Sequence, residues 1–507
     1  MANAPDLIGA RRARLAALRD RGVDPFAATR FDVTAHAAEL AARYAGLETG
    51  SPAADAPEWA LAGRLMSVRG QGKVIFADLD DRTGRFQLFI RLDNLGADVF
   101  DIFRELERGD IIGARGPVFR TKAGELTLSV TGFEVLGKSL RPLPDKWHGL
   151  QDVEKRYRRR YVDLIVNPLV LNVMIARSRI IAEMRRFIDG HGFFEVETPT
   201  LVSGAGGAAA RPFLTHSNAL DIPLSLRIAT ELYLKRLIVG GMERVYEIGR
   251  IWRNEGIDRT HNPEFTMLEL YAAFWDVRDM MAFNEDLMAH LARTVHGSET
   301  VLYRDDAISF ATPFRRLGYL GAFEEFGGLS RDQLLDAEAC HRLLHDFGIP
   351  ESLSHAHALD KLFERVVEPH LIQPTFVYGY PLVLSPLAKR MKDDPLLTER
   401  YELFAANMEL ANAFTELNDP DDQRRRFELQ AIEKAAGDHD VPPPDWDFVT
   451  ALEYGLPPTA GIGIGIDRLV MMLTGNESIR DVLLFPLQRP QAPDDADELS
   501  EATEEQP

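Results

Sequence analysis

The sequence predicts an α+β chain in two folded parts, a small β-barrel followed by a larger unit of mixed strands and helices. Three observations point there. Between Trp59 and about Leu136, short β-branched and aromatic segments are punctuated by glycine, the mark of tightly turned strands. From Leu169 the segment LVLNVMIARSRIIAEMRRFIDGHG carries helical periodicity and opens a second region. Beyond Phe193 and out to Pro490, hairpin signals replace the regular strand–helix alternation of a doubly wound sheet. At 507 residues the chain is long enough to bury more than one core.

Taken in order, residues 6–46 read as helical with a turn at Gly22-Val23-Asp24-Pro25, and 50–57 is a Pro/Ala/Asp linker. Residues 1–57 thus form an N-terminal arm. LAGRLMSVRG, KVIFADLDD, GRFQLFIRL, DIIGARGPVFR and GELTLSVTGFEVL supply five strands with a helical interruption at 96–108, which suggests an OB-type barrel over 58–137. Residues 138–168 are a basic, Pro-containing connector, and 169–490 form the larger unit, with a helical region inserted at 276–372. The last 17 residues, 491–507, hold seven acids and no base, a composition that builds no core and reads as a disordered acidic tail.

Apolar residues make up 45% and charged residues 27%, and no stretch approaches the roughly 18 apolar residues of a membrane span, which argues against a membrane protein. The N-terminus lacks the apolar core of a signal peptide. Cys340 is the only cysteine, so no intrachain disulfide or cysteine zinc site can form; a cytoplasmic location is expected, with Cys340 a buried structural thiol. The net charge of −20, from 58 bases and 78 acids, argues on average against a nucleic-acid partner. Its distribution removes that argument: the tail is purely acidic, whereas residues 137–161 carry eight Lys/Arg against three Asp/Glu.

Three segments carry chemistry. RVYEIGRIWRNEGIDRTHNPEFTMLELYAAF (244–274) reads as two strands joined by a polar turn, with Phe265, Met267, Glu269 and Tyr271 on one face. Arg253 at one strand end, with Glu269 and Tyr271 on the partner, makes a pocket with a cationic and an anionic end; a surface hairpin with an ordinary ion pair also fits. In RYELFAANMELANAFTELND (400–419), alternation puts Asn412, Phe414 and Glu416 on one face, and Glu402 and Glu409 converge at the base of a hairpin that turns at Ala406-Asn407. Paired carboxylates without a base suit Mg²⁺ bridging to phosphates, or are simply solvated. In TAGIGIGIDRLVMMLTG (459–475), Gly461, Gly463 and Gly465 leave one strand face bare for a flat ligand, or merely allow tight packing. No Gly-Lys-Ser/Thr phosphate loop follows.

In order and wording these segments resemble the motifs of class II aminoacyl-tRNA synthetases, most closely those of the lysyl-tRNA synthetase family. The resemblance covers residues 6–490 and includes RPLPDKWHGLQD, FFEVETPTL, ARPFLTHSNALDIPLSLRIATELYLKRLIVGG, RNEGIDRTHNPEFT and EYGLPPTAGIGIGIDR. It implies an OB-fold anticodon-binding barrel followed by a catalytic domain built on a seven-stranded antiparallel sheet flanked by helices. The implied activity joins L-lysine to ATP as lysyl-adenylate, then transfers lysine to the terminal adenosine of a tRNA, with Mg²⁺ as cofactor. A homodimer is implied through the long helix and FFEVETPTL, which match motif 1.

Residue by residue, the resemblance makes Arg253 and Arg468 the catalytic arginines. Arg253 is expected on the α-phosphate and the amino-acid carboxylate, and Arg468 over adenine or the γ-phosphate. Phe265 would stack on adenine, with Glu255 and His261 along the nucleotide, and Glu402 and Glu409 would hold Mg²⁺. For lysine, Glu231 and the Gly207 backbone match the α-amine site, Asn412 the carboxylate site, Glu269, Tyr271 and Glu416 the ε-ammonium site, and Phe414 the stem. In the barrel, Phe76, Gln87 and Glu125, assisted by Arg69, match positions that bind an anticodon base, although Phe76 lies in an apolar run and also fits a core residue. The basic stretch 155–160 suits tRNA or the subunit interface equally. Many bacterial members carry Arg directly before the loop histidine where this chain has Thr260, with Arg259 one place earlier. Ala411 and Ala413 replace their glycines and add methyls near the lysine strand. An aspartate or asparagine enzyme would need a cation where Glu269 and Glu416 stand.

Overall fold

The structure, a computed structural model, describes residues 4–50, 57–144, 150–204, 206–350, 354–435 and 443–490. The acidic segment 491–507 and most of the 50–57 linker lie outside them. The described residues divide into two compact units, one of those up to Gln151 together with 489–490, the other of those from Asp152 to Gln488.

In the first unit the arm forms α1 (Ala4–Asp20) and α2 (Ala37–Arg43). The barrel region contains β1 (Trp59–Gln71), β2 (Val74–Asp81), β3 (Gly84–Arg91), α3 (Leu92–Leu95), α4 (Ala97–Arg104), β4 (Ile111–Gly116), β5 (Val118–Arg120), β6 (Leu126–Ser129) and β7 (Gly132–Gly137). Seven strands replace the expected five because the last two segments each break in the middle. Pro117 has no N–H to continue the ladder between β4 and β5. Val130 bonds to Phe89 while Thr131 bonds to Arg115, so consecutive residues serve different strands and the sheet curls back on itself. The strand order is β5-β6-β3-β2-β1-β4-β7. Its core holds Leu61, Leu65, Leu88 and Ile90 with Phe100 and Phe103 of α4.

The second unit opens with α5 (Val153–Arg158), α6 (Arg160–Val166) and α7 (Pro168–Gly190). The stretch read as a connector is therefore helical and part of this unit from Val153 onward. Arg160 is fully buried, pairs with Asp163 at 2.7 Å, and donates to the carbonyls of Arg480, Leu483 and Leu484. Arg156 and Arg158 pair with Asp163 and Glu154. Among the described residues no single helix is long and apolar enough to cross a membrane.

There follow β8 (Phe194–Glu195), β9 (Leu201–Val202), β10 (Leu214–Ser217), β11 (Ile222–Leu226), α8 (Glu231–Val239), β12 (Arg244–Trp252), β13 (Glu264–Ala273) and α9 (Val277–His296). Next come β14 (Thr300–Tyr303), β15 (Asp306–Ser309), β16 (Arg315–Gly318), α10 (Tyr319–Gly327), α11 (Arg331–Leu335), α12 (Ala337–Asp346) and α13 (His355–Val366). The unit closes with β17 (Thr375–Tyr378), β18 (Arg400–Ala405), β19 (Met408–Thr415), α14 (Pro420–Ala435), α15 (Trp446–Glu453), β20 (Thr459–Gly465), α16 (Ile466–Thr474) and α17 (Ile479–Val482).

Its main sheet has eight strands in the order β16-β17-β18-β19-β20-β13-β12-β8. The expected antiparallel sheet forms its six central strands, and β16 and β8 add parallel edges. One face packs on α7, α9 and α16 through Ile180, Met184, Leu287, Leu291 and Leu469, against Leu268, Leu270, Ile462 and Ile464. The opposite face, carrying Glu269 and Tyr271, turns toward α8 and α15. The region 276–372 is less separate than expected: α9 belongs to the main core and β16 to the main sheet. α10–α13 build a second core against the outer strands of the main sheet, through Val377 and Phe404; Cys340 is buried there, and burial pushes its thiol up to about 11.

Candidate active site

The site face is assembled by register. Met267, Glu269 and Tyr271 of β13 stand opposite Gly465, Gly463 and Gly461 of β20, and Asn412 and Phe414 of β19 stand opposite Gly463 and Gly461 from the other side. Direct partners share a face, so five functional side chains surround a glycine floor. The bareness is used by the protein itself. A Cβ at Gly461 would fall on the Tyr271 ring and within 2.5 Å of Glu416 Oε1, and one at Gly463 would strike Met267, whereas at Gly465 the nearest atom is 3.8 Å away on Arg468.

The hairpin β18–β19 turns at Ala406 and Asn407, both with positive φ (49° and 61°), the geometry that matches strand twist in a two-residue turn. Leu403 pairs with Ala411 and Phe404 with Glu409, so Leu410 is an extra residue. That bulge brings Glu409 onto the face of Asn412 although they are three apart. Glu409 therefore joins the face that Glu402 and its direct partner Asn412 share.

Two cavities lie on this face. One, of about 300 Å³, is lined by Gly207, Glu231, Glu269, Tyr271, Phe414 and Arg400 among others. The second, of about 280 Å³, is lined by Glu255, His261, Phe265, Glu409 and Arg468 among others. Arg253, Met267, Asn412 and Gly463 line both. The guanidinium of Arg253 sits 5.3 Å from the centre of the Phe265 ring. Burial lowers its pKa, while Glu255, Glu409 and Glu269 support its charge.

The first chamber is acidic. Glu269 accepts from the Thr230 backbone N–H at 3.0 Å and from the Tyr271 hydroxyl at 3.2 Å. Burial, reinforced by Glu231, pushes it up to about 7. Glu231 begins α8, where an acid also meets the positive end of the helix dipole, and it accepts from Lys235 at 2.5 Å. Glu416 is fully buried beside Gly461 and lines neither cavity; its Oε2 is ion-paired with Lys235, and its Oε1 has no hydrogen-bond partner.

In the second chamber Arg468 donates to Glu409 Oε2 at 3.2 Å and to His261 Nε2 at 3.0 Å. An arginine only donates, so Nε2 accepts and Nδ1–H points to Asp258 Oδ2 at 2.8 Å. Glu402 lines neither cavity. It accepts from Arg400 at 2.6 Å and from the Tyr380 hydroxyl at 2.7 Å, and burial, eased by Arg400 and reinforced by Glu409, pushes it up to about 7. Among the described residues no group of three or more metal-ligating side chains occurs. Each Glu402 oxygen keeps acceptor capacity and Glu409 is 40% exposed, so this acid pair fits a cation that takes its remaining ligands from phosphates.

Several contributors carry no local sequence signal. Arg400 donates to Asn412 Oδ1 at 3.1 Å as well as to Glu402, which turns the Asn412 amide nitrogen toward the cavities. Lys235, one turn beyond Glu231 on α8, is another. Asp467 anchors β13 to α16 by accepting from Thr266 N at 2.6 Å and from Arg177 at 2.5 Å. In the barrel unit Phe76 is half-buried and lies on the face opposite core residues Ile75 and Ala77, which removes the core reading. Its ring is 4.9 Å from Phe89, which is 5.5 Å from Phe119, a platform of which only Phe76 was anticipated. Gln87 shares that face and accepts from Thr127 at 2.9 Å, Glu125 is exposed, and Arg69 is exposed and pairs with Asp78 at 3.1 Å.

A family model described as class II tRNA synthetases (D, K and N) matches residues 152–489, and one described as an OB-fold nucleic acid binding domain matches 59–136. The lysine–tRNA ligase of Moorella thermoacetica is 53% identical over 96% of this chain and 98% of its own length. That of Bacillus subtilis is 51% identical over 96% and 97%. With the two-chamber site and this similarity along nearly its whole length, the chain belongs to the lysine–tRNA ligase family, within the class II tRNA synthetases.

Proposed function

We propose that the chain activates L-lysine with ATP to lysyl-adenylate and pyrophosphate, then transfers lysine to the 3′-terminal adenosine of its tRNA. The observation that carries the reading is Arg253 at the junction of an acidic chamber and a second chamber containing Arg468, His261 and Phe265. The acidic chamber suits a dication: Glu231 takes the α-amine beside the Gly207 backbone, and Glu269, Tyr271 and Glu416 take the ε-ammonium. Phe414 packs on the stem. Asn412 and Arg253 then orient the lysine carboxylate at the junction.

There one carboxylate oxygen attacks the α-phosphorus as its bond to the pyrophosphate oxygen breaks. Arg253, preorganised by burial, meets the charge that builds on the phosphoryl oxygens. Phe265 and Arg468 enclose adenine, with Glu255 and His261 along the nucleotide. Glu402 and Glu409 would hold Mg²⁺, which when bound neutralises phosphate charge. In the barrel, Phe76 stacks an anticodon base while Gln87, Glu125 and Arg69 contact its edge and backbone.

We also propose a cytoplasmic homodimer. Support for the dimer comes from β8 at the sheet edge and from Leu169, Phe194 and Leu214, which are 79%, 66% and 81% exposed. Pyrophosphate exchange with each of the twenty amino acids, followed by charging of total tRNA, tests the function. Exchange with lysine and charging of one acceptor species are expected. Exchange with aspartate but not lysine would overturn the specificity, and lysine exchange without charging would point to a different acceptor.

A further inference from the structure

We propose that Lys235 is a positioning residue for lysine recognition. It holds the Glu416 carboxylate as one half of a fixed ion pair, with Oε2 on its own ammonium and Oε1 left for the substrate ε-ammonium. The proposal deepens the reading of Glu416 as a lysine ligand and rests on it.

Lys235 lies one helical turn beyond Glu231 on α8 and is fully buried. Its ammonium donates to Glu231 Oε1 at 2.5 Å and pairs with Glu416 Oε2. It sits 5.2 Å, 5.7 Å and 6.0 Å from the ring centres of Phe414, Phe448 and Tyr271. Burial disfavours its charge, but Glu231 and Glu416 outweigh burial and raise its pKa. One internal cation thus ties the carboxylate proposed for the α-amine to the carboxylate proposed for the ε-ammonium, and sets the spacing between them.

Charge explains why such a cation is needed. Glu231 and Glu269 line the chamber and Glu416 lies buried beside it, so three carboxylates gather there around the one cation Lys235; the two ammonium groups of a bound lysine supply two more positive charges. Burial lifts Glu416 well above the usual carboxylate range, with Lys235 pulling it down and Glu231 and Glu269 pushing it further up. Lys235 is the main group that opposes that lift, and a protonated Glu416 no longer attracts an ammonium. Geometry gives the same answer. The unpartnered Oε1 lies over Gly461 beside the Tyr271 ring, in space that only the missing side chain of that glycine leaves open to it.

The test is a double-mutant cycle in the full-length protein, read by pyrophosphate exchange. Lys235→Met is expected to raise the lysine KM by about 100-fold or more and leave the ATP KM within about threefold. If Lys235 acts through Glu416, the pair Lys235→Met with Glu416→Gln has a lysine KM within about threefold of Glu416→Gln alone. Losses that add, or an ATP KM that rises in step with that for lysine, overturn the proposal and reduce Lys235 to a packing residue. Should Lys235→Met fail to fold, the comparison of Glu416→Gln with the paired variant decides alone. A Glu416→Gln variant with unchanged lysine KM overturns the lysine-site reading itself, a result distinct from failure at Lys235.

Discussion

Glu269 shows how a single carboxylate couples binding to pH. Its pKa is pushed up to about 7 from an ordinary 4.5, because burial, reinforced by Glu231, penalises the charge that lysine needs. An acid whose folded pKa is raised binds its proton more tightly when folded, so a bound ammonium must displace that proton below about pH 7. The lysine KM should be flat above pH 8 and rise about tenfold for each pH unit below 7. Calorimetry near pH 6.5 in buffers of different ionisation enthalpy should register proton release on lysine binding; no buffer dependence would sink this assignment. The same sign gives a stability result. The cost of keeping Glu269 ionised appears as pH rises from 4.5 to 7, so Glu269→Gln should melt higher than the parent at pH 8 and level with it near pH 5, while losing lysine activation.

At the scale of elements, β20 and the bulged β19 make the site. Gly461→Ala places a methyl on the Tyr271 ring and Glu416, and overpacking of this kind costs about 1–3 kcal/mol. A lower Tm with a strongly raised lysine KM is expected. Gly465→Ala meets nothing closer than 3.8 Å, so its Tm and lysine KM should stay near those of the parent. Equal effects of the two substitutions would show that the floor is not shaped as described. Alternation in the sequence was enough to put Asn412 and Phe414 on one face. Alternation alone does not put Glu409 on that face, because one inserted residue, Leu410, resets the phase and only strand pairing reveals it.

For the whole molecule, two compact units imply two separable losses. Phe89→Ala in the barrel removes the middle ring of the aromatic platform and should raise the tRNA KM for charging by about tenfold, with pyrophosphate exchange unchanged. Equal loss in both assays would remove the barrel from tRNA recognition. Phe194→Asp puts a charge on an exposed apolar residue of the edge strand β8 and should move the protein from dimer to monomer in sedimentation velocity; an unchanged sedimentation coefficient would place the subunit contact elsewhere.

What the sequence determined by itself was local: helical and alternating periodicities, the glycine floor, the Arg253 and Arg468 segments, and a composition that left RNA binding open despite a charge of −20. These follow from chemistry carried within a few neighbouring residues. The tertiary structure alone decided that Lys235 stands between Glu231 and Glu416, that Arg400 orients Asn412 and Glu402, and that Phe89 and Phe119 extend the platform begun by Phe76. It also drew Arg160, and Arg156 in part, out of the basic stretch and into ion pairs with the buried Asp163. Each of these depends on partners brought together from distant strands and helices, and on a burial that makes an ordinary lysine or arginine hold a carboxylate in place.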